Sequence, residues 1–222
     1  KKGYYMKKNL FGKNRDFTTA PNISRLFSEM IAIWIISFWE SLGSPKKFNL
    51  IELGAGNGEM MKIMIESFQN FPSFINCCNI IIHEKSPNLI KKQKNNIRFK
   101  NIKWVADLKK IKKLPSIFLA NEFFDAIPIK QFLKYENIWF EKFVHVHNDK
   151  KIGFVNKQTD IRIIEKKVNF KISEKQNFIE YSPLGFKYLT NIFKSIRENK
   201  GGLLIIDYGY FTEKMKNTLQ AI

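Results

Sequence analysis

The chain has 222 residues, of which 44% are apolar, and a formal net charge of +18 at pH 7. This length and composition fit one α/β domain with room for an insertion, and they exclude a wholly disordered chain. Only five of the 38 basic residues are arginine, the side chain best suited to phosphate and guanine. We therefore interpret the charge as a general lysine-rich surface rather than as a nucleic-acid site.

Two further features limit the setting in which the chain works. The two cysteines, Cys77 and Cys78, are adjacent, which argues against a disulfide or a metal site and favours a reducing compartment. The most apolar run, Ile31–Trp39, is far shorter than the roughly 20 residues of a membrane span. No metal site and no membrane span are therefore predicted.

The predicted elements begin with an irregular lead-in over residues 1–22. A largely buried helix follows from about Ile23 to Leu42, with Asn22 as its cap. Strands and helices then alternate, which predicts a mostly parallel sheet with helices on both faces. The strands are expected at Phe48–Leu53, Asn79–His83, Ile102–Val105 and Ser116–Ala120, and the helices at Gly58–Phe68 and Pro87–Gln93.

The pattern changes after Gln131. Segments at Phe132–Tyr135, Trp139–His147 and Ile152–Val155 alternate like antiparallel strands. Helical spacing resumes at Pro183, and a last strand covers Leu203–Ile206. We expect a lead-in and helix over 1–47, a cofactor-binding core over 48–131, an insertion over 132–182, and a return to the core over 183–222.

A glycine-rich loop follows the first strand. Gly54, Gly56 and Gly58 are spaced G-x-G-x-G, whereas dinucleotide enzymes use G-x-G-x-x-G. Glu59 stands where the third dinucleotide glycine would be, and its carboxylate would repel a pyrophosphate. S-adenosylmethionine (SAM) has a sulfonium and an ammonium group but no phosphate, and Glu52 at the strand end suits those positive charges. A dinucleotide site and a simple tight turn are the alternatives.

Two acids follow the next strands. Glu84 ends the second strand and could accept the hydroxyls of a cofactor ribose, unless it is a solvated residue beside Lys85. Asp107 follows the third strand and could hold the adenine amino group, although a surface aspartate next to Lys109 fits the sequence equally well.

The fourth strand leads into a third polar cluster. Asn121, Glu122 and Asp125 lie around Phe123 and Phe124, at the edge where open α/β sheets bind ligands. Carboxylates can clamp a guanidinium and an aromatic ring can stack on its plane, so the cluster suits a flat cationic or amide-bearing substrate. Capping of a following helix by Asn121 or Asp125 is the alternative.

Three segments together resemble the MidA-like family of SAM-dependent methyltransferases, which includes a mitochondrial protein arginine methyltransferase for complex I assembly. They are Asp16–Pro21, Glu52–Gly58 and Asn121–Phe132. Further matches are Ser86-Pro87, Glu180–Pro183, Leu204–Gly209 and Thr218–Ala221, so the resemblance spans nearly the whole chain in the family's order. Two positions depart from it: Asn22 replaces a glutamate, and the family's acid after the third strand falls at Ala106, one place before Asp107.

The resemblance implies a class I SAM-dependent methyltransferase fold, Rossmann-like, with an antiparallel and helical insertion. It implies SAM as cofactor, bound by Gly54, Gly56, Gly58 and Glu84, with a flap over it that includes Thr19 and Pro21. The residues themselves add Glu52 and Asp107 as candidate cofactor contacts, although the family pattern does not support Asp107. It also implies catalytic roles for Asn121, Glu122 and Asp125, with Asp207 in support. The family extends before Lys1 and beyond Ile222, so we expect further chain at both ends.

The implied reaction is methylation of a protein arginine, with a respiratory complex I subunit as the partner. The implied compartment is the bacterial cytoplasm or, in a eukaryote, the mitochondrial matrix. Two alternatives remain open: an amine methyltransferase acting on nucleic acid or a small molecule, and an assembly factor that has kept the fold without turnover.

Overall fold

The computed structural model describes residues 20–148 and 150–219, and the chain divides into two compact units. The first unit extends to Phe124 and resumes over Leu189–Asp207, and the second holds Asp125–Tyr188 and the residues from Tyr208 onward. The helices are α1 (Ala20–Ile23), α2 (Arg25–Ser41), α3 (Glu59–Phe68), α4 (Pro72–Ile75), α5 (Pro87–Asn96), α6 (Arg162–Val168) and α7 (Pro183–Asn199). The strands are β1 (Phe48–Leu53), β2 (Cys78–His83), β3 (Ile102–Val105), β4 (Ser116–Asn121), β5 (Lys130–Tyr135), β6 (Ile138–Val146), β7 (Ile152–Gln158), β8 (Phe178–Tyr181) and β9 (Gly201–Ile206).

The first unit is built on a five-stranded sheet in the order β3-β2-β1-β4-β9. Every paired neighbour in this sheet is parallel, which confirms the predicted fold class. The chain moves from β1 outward to β3 and then returns to the other side of β1 as β4. The strand order therefore reverses between β1 and β4, and such a switch point is where open α/β sheets bind their ligands.

Both faces of this sheet are covered. All six residues of β1 are buried, as expected for a central parallel strand between two layers of helices. One face contributes Leu50, Ile80 and Leu119 to a core that contains residues of α2 and α3, and the other contributes Ile51, Leu53, Ile81, Phe118 and Ala120 to a core that contains Ile192 of α7.

The second unit contains an antiparallel sheet in the order β7-β6-β5-β8. Its core is Phe132, Trp139, Ile161, Ile164, Ile179 and Tyr181. The antiparallel segment predicted after Gln131 is confirmed. The sequence reading did not identify α6 or β8, because each is short and its apolar residues show no sustained period.

Two predicted helix boundaries were wrong. The single helix expected from Ile23 to Leu42 is interrupted at Ser24, whose extended backbone (φ −135°, ψ 119°) separates α1 from α2, and Asn22 lies inside α1. The helix expected to end at Gln93 continues to Asn96. Among the described residues, no helix is both long and apolar enough to cross a bilayer.

Candidate active site at the carboxyl ends of the strands

Three polar side chains, those of Glu52, Glu84 and Asn121, lie on one face of the parallel sheet where its strands end. Glu52 of β1 is in register with Ile82 of β2 and Leu119 of β4. Because side chains alternate along a strand, Glu84 and Asn121, each two residues further on, point to the same face as Glu52. The apolar residues before them belong to the core beneath that face, so the sheet changes from apolar to polar just where its strands end.

Glu52 is buried, and one of its carboxylate oxygens has no hydrogen-bond donor among the described residues. It is 2% exposed, and among the described residues nothing donates to its Oε2. Burial raises the pKa of its carboxyl group to about 8, and the negative charge of Glu84 adds to the rise. An unpaired buried acceptor costs free energy, so the site is suited to a ligand that donates hydrogen bonds or brings positive charge.

Asn121 repeats this feature on the neighbouring strand. Its buried Oδ1 also lacks a donor within the part of the chain that the structure describes. Glu52 and Asn121 therefore present two unpaired oxygen acceptors on one face, on the two strands between which the strand order reverses.

The glycine loop between β1 and α3 requires its glycines. Gly54, Gly56 and Gly58 have φ of 66°, 53° and 84°, in the left-handed region that L side chains disfavour. A Cβ on Gly54 would lie 2.8 Å from Cδ2 of Phe123, and one on Gly58 would lie 3.0 Å from Cδ1 of Ile97. The loop thus combines a tight turn with close approach, as predicted for a cofactor loop.

Glu84 is held in a fixed orientation. Its Oε1 accepts from the backbone N–H groups of Lys85 and Ser86, each at 2.8 Å, and its Oε2 accepts from Nε2 of Gln93 at 3.3 Å. The residue is 8% exposed, and burial raises the pKa of its carboxyl group. The alternative of a solvated Glu84 is therefore wrong.

The segment after β4 is strained and tied to β9. Glu122 has φ 46°, a rare conformation for a residue with a side chain and one that is typical of functional sites. Its N–H donates to the carbonyl of Ile206 at 2.8 Å, and the N–H of Phe124 donates to Oδ2 of Asp207 at 2.9 Å. Residues 122–129 contain no helix and β5 follows them, so the capping alternative for Asn121 or Asp125 is wrong.

The remaining predicted site residues differ in their exposure. Asp107 is exposed and its Oδ1 accepts from the N–H of Lys109 at 3.0 Å, at the start of a short 3-10 helix. Pro21 is buried in α1, Asp125 is exposed in the second unit, and Thr19 lies outside the described residues. Their roles stay predictions. Within residues 20–148 and 150–219, no group of three or more His, Cys, Asp or Glu side chains could hold a metal ion.

The sequence reading missed Gln93 as a residue of this site. Gln93 is fully buried and contacts both the glycine loop and Glu84. A signal was present: Leu89, Gln93 and Ile97 recur every fourth residue, which puts the glutamine on the buried stripe of α5. A polar residue on such a stripe needs buried partners.

Comparison with known proteins places the chain among methyltransferases. A family model described as "Putative S-adenosyl-L-methionine-dependent methyltransferase" matches residues 30–222. The mitochondrial protein arginine methyltransferase NDUFAF7 of Xenopus laevis is 30% identical over 239 residues, which are 96% of this chain and 54% of that protein. The human protein of the same name is 28% identical over 236 residues, covering 94% of this chain and 53% of that protein.

A solved structure supports the fold. A protein from Burkholderia thailandensis described as a "likely methyl transferase", crystallised with S-adenosyl-homocysteine, superposes with a TM-score of 0.68 at 17% identity. The match covers 88% of this chain and 50% of that one. The chain thus spans about half the length of the curated relatives and of the solved structure that it matches.

Proposed function

The chain belongs to this family of SAM-dependent methyltransferases, and from that premise we propose that it binds SAM at the carboxyl ends of β1, β2 and β4 and methylates a protein arginine. The observation that carries the proposal is a pair of buried oxygens, on Glu52 and Asn121, that find no donor in the described part of the chain, beside a loop whose backbone conformation favours glycine. Both lie where the strand order reverses, between β1 and β4.

The residues present fit SAM in charge and in hydrogen bonding. The carboxylate of Glu52 would accept from the ammonium group of the methionine part and compensate its charge. Gly54, Gly56 and Gly58 would let the backbone approach the cofactor, and Glu84 would accept from the ribose hydroxyls. These acidic and carbonyl acceptors match a cationic ligand, whereas a dinucleotide brings a pyrophosphate that they would repel.

The polar segment after β4 would receive the acceptor nitrogen. When bound, SAM would supply an electrophilic methyl group on a positively charged sulfur, for transfer to the acceptor nitrogen with cleavage of the carbon–sulfur bond. The methylated nitrogen must then release a proton, and Glu122 is the carboxylate that we assign to orient the guanidinium and accept that proton. Oδ1 of Asn121 would hold a second N–H, and Asp125 stays a predicted contributor.

Arginine is the proposed target because the mitochondrial relatives are named as protein arginine methyltransferases. A guanidinium also matches the one acid, Glu122, and the two aromatic rings of the segment Asn121–Phe124. We further propose that the partner is a protein subunit of a respiratory complex. We place the reaction in a reducing compartment, either the mitochondrial matrix or, in a bacterium, the cytoplasm.

The decisive experiment is a calorimetric titration with S-adenosyl-homocysteine and with NADH, using two glycine variants. Gly54→Ala should abolish binding of the nucleoside, because the new Cβ meets both backbone strain and the ring of Phe123. Gly43→Ala is the matched control: Gly43 has φ 84° but nothing within 4 Å of its Cβ position, so that variant carries the strain alone and should bind like the wild type.

Methyl transfer is then tested with labelled SAM, a lysate as substrate source, and mass spectrometry of the labelled products. Label on protein arginine supports the proposal. Label on nucleic acid or a small amine instead favours the alternative enzyme class, and SAM binding without any labelled product favours the assembly factor. Binding of NADH in place of the SAM product would contradict the cofactor assignment.

A further inference from the structure

One side chain joins two parts of the site, the glycine loop after β1 and the acid after β2, to the neighbouring strand β3. Gln93 of α5 is fully buried, and its Nε2 donates to the carbonyl of Gly56 at 3.0 Å and to Oε2 of Glu84 at 3.3 Å. Its Oε1 accepts from Nε1 of Trp104 at 2.9 Å. A single amide therefore contacts the glycine loop, the acid after β2 and the tryptophan of β3.

The partners determine which way this amide points. Indole N–H can only donate, so Trp104 requires the oxygen of Gln93 on its side. The carbonyl of Gly56 and the carboxylate of Glu84 can only accept, so they require the NH₂ group. A flipped amide would oppose like groups at all three contacts. Neither a glutamate nor a hydrophobic side chain of the same length could make all three of these hydrogen bonds.

The stem of Gln93 also supports the loop. A Cβ on Gly58 would lie 3.3 Å from Cγ of Gln93, so the methylene groups of the glutamine lie against the last glycine while its amide bonds the middle one. Gln93 thus constrains the glycine loop at two points, Gly56 and Gly58, and it also constrains the carboxylate of Glu84.

From these contacts we infer that Gln93 is a positioning residue for the cofactor. It orients the Glu84 carboxylate toward the ribose, and it holds the glycine loop in the position from which the loop contacts the same cofactor. The inference rests on the proposed role of Glu84 as a cofactor-binding acid. Oε1 of Glu84 already accepts two backbone N–H groups. Its Oε2 accepts one bond from Gln93, which determines the direction that remains for a ribose hydroxyl.

Gln93 has a second effect on the same group. Burial raises the pKa of Glu84, while the hydrogen bonds from Ser86, Lys85 and Gln93 lower it. The donor on Gln93 therefore helps to keep Glu84 ionised, and an ionised carboxylate is the stronger hydrogen-bond acceptor. Loss of the donor should move the protonation of Glu84 to higher pH.

The test is a double-mutant cycle of Gln93→Met and Glu84→Gln, read by calorimetric titration with S-adenosyl-homocysteine from pH 6 to pH 8. Gln93→Met keeps the length of the side chain and removes its hydrogen bonds. We expect it to weaken binding about tenfold, and more at the acidic end. Because Gln93 also holds the glycine loop, we expect the double variant to bind more weakly than Glu84→Gln alone, but by less than the sum of the two single losses. Gln69→Met, at an exposed position after α3, is the control and should bind like the wild type.

Trp104→Phe provides a second route if Gln93→Met fails to fold. It keeps Gln93 but frees the amide to rotate, so we expect a smaller loss of affinity in the same direction. Wild-type affinity in folded Gln93→Met, or independent effects of Gln93→Met and Glu84→Gln, would overturn the inference. A Glu84→Gln variant with unchanged affinity would overturn the ribose role of Glu84 itself, and the inference with it, while leaving SAM binding as such intact.

Discussion

At the scale of single residues, the candidate site is marked by oxygen acceptors for which the described residues supply no donor. Oε2 of Glu52 and Oδ1 of Asn121 are buried at the ends of β1 and β4 and are unpaired in this sense, although a buried polar group normally has a partner. Glu52 also carries a pKa raised to about 8 by burial. A group held in this costly state is typical of functional sites, and it makes the pH dependence of ligand binding informative.

We predict that affinity for S-adenosyl-homocysteine rises with pH up to about 8. An ammonium ligand favours ionised Glu52, but with a pKa of about 8 this carboxyl is mostly protonated at pH 6 and must lose its proton on binding. The gain should reach about tenfold per pH unit and level off above pH 8. Calorimetry in buffers from pH 6 to pH 8.5 measures it.

Glu52→Gln is the control for this pH profile. It should bind more weakly at pH 8 and lose the part of the pH dependence that Glu52 contributes. The ligand-free wild type should also lose stability between pH 5 and pH 8, because a raised folded-state pKa stabilises the fold only while the group is protonated. Parallel pH profiles in the wild type and Glu52→Gln would contradict the role of Glu52.

At the scale of elements, a short helix missed in the sequence closes the core of the first unit. Phe74 of α4 is fully buried, with its ring centroid 4.7 Å from that of Phe68, 5.1 Å from that of Phe48 and 5.4 Å from that of Trp39. Phe74 thus links α4 to α3, β1 and α2. β1 carries Glu52, and α3 is the helix that follows the glycine loop. By packing against both, α4 stabilises the framework of the candidate site.

We therefore predict that Phe74→Ala lowers the free energy of unfolding by about 3–5 kcal/mol, since it removes a buried aromatic ring and leaves a cavity. Phe71→Ala is the matched control, because Phe71 immediately precedes α4 and is 38% exposed. Its cost should stay below about 1 kcal/mol. Urea unfolding followed by circular dichroism measures both, and equal losses would show that α4 does not close this core.

At the scale of the whole molecule, the net charge of +18 is the feature most easily mistaken for a function. The residues that we propose for the cofactor are acids rather than bases: they are Glu52 and Glu84, and both are buried. The positive charge is therefore a property of the lysine-rich surface, whereas the candidate site is acidic. Varying the salt concentration separates binding that depends on the surface charge from binding at the site.

We predict that double-stranded DNA binds this protein weakly and without sequence preference. Such binding depends on counterion release, so the affinity should fall steeply between 50 and 200 mM salt. Saturating DNA at low salt should leave the affinity for S-adenosyl-homocysteine unchanged. Fluorescence anisotropy measures the salt dependence, and tight, sequence-selective binding that survives 200 mM salt would favour the nucleic-acid methyltransferase instead.

The sequence by itself determined the parts of this protein that depend on local patterning. The apolar runs identified β1 to β4, and the G-x-G-x-G spacing identified the loop, because backbone conformation and side-chain alternation are properties of a few neighbouring residues. The acids at the strand ends followed from the same pattern. The short elements α4, α6 and β8 did not, since four to seven residues carry too little periodicity.

Only the tertiary structure decided the strand order, and with it the pairing of β1 with β4 at the switch point. It also decided that Glu84 is buried and that Gln93 bonds Gly56 across 37 positions of the chain. Whether a buried oxygen has a donor depends on every element around it. The unpaired acceptors of Glu52 and Asn121 therefore emerge only once the sheet and its helices are assembled.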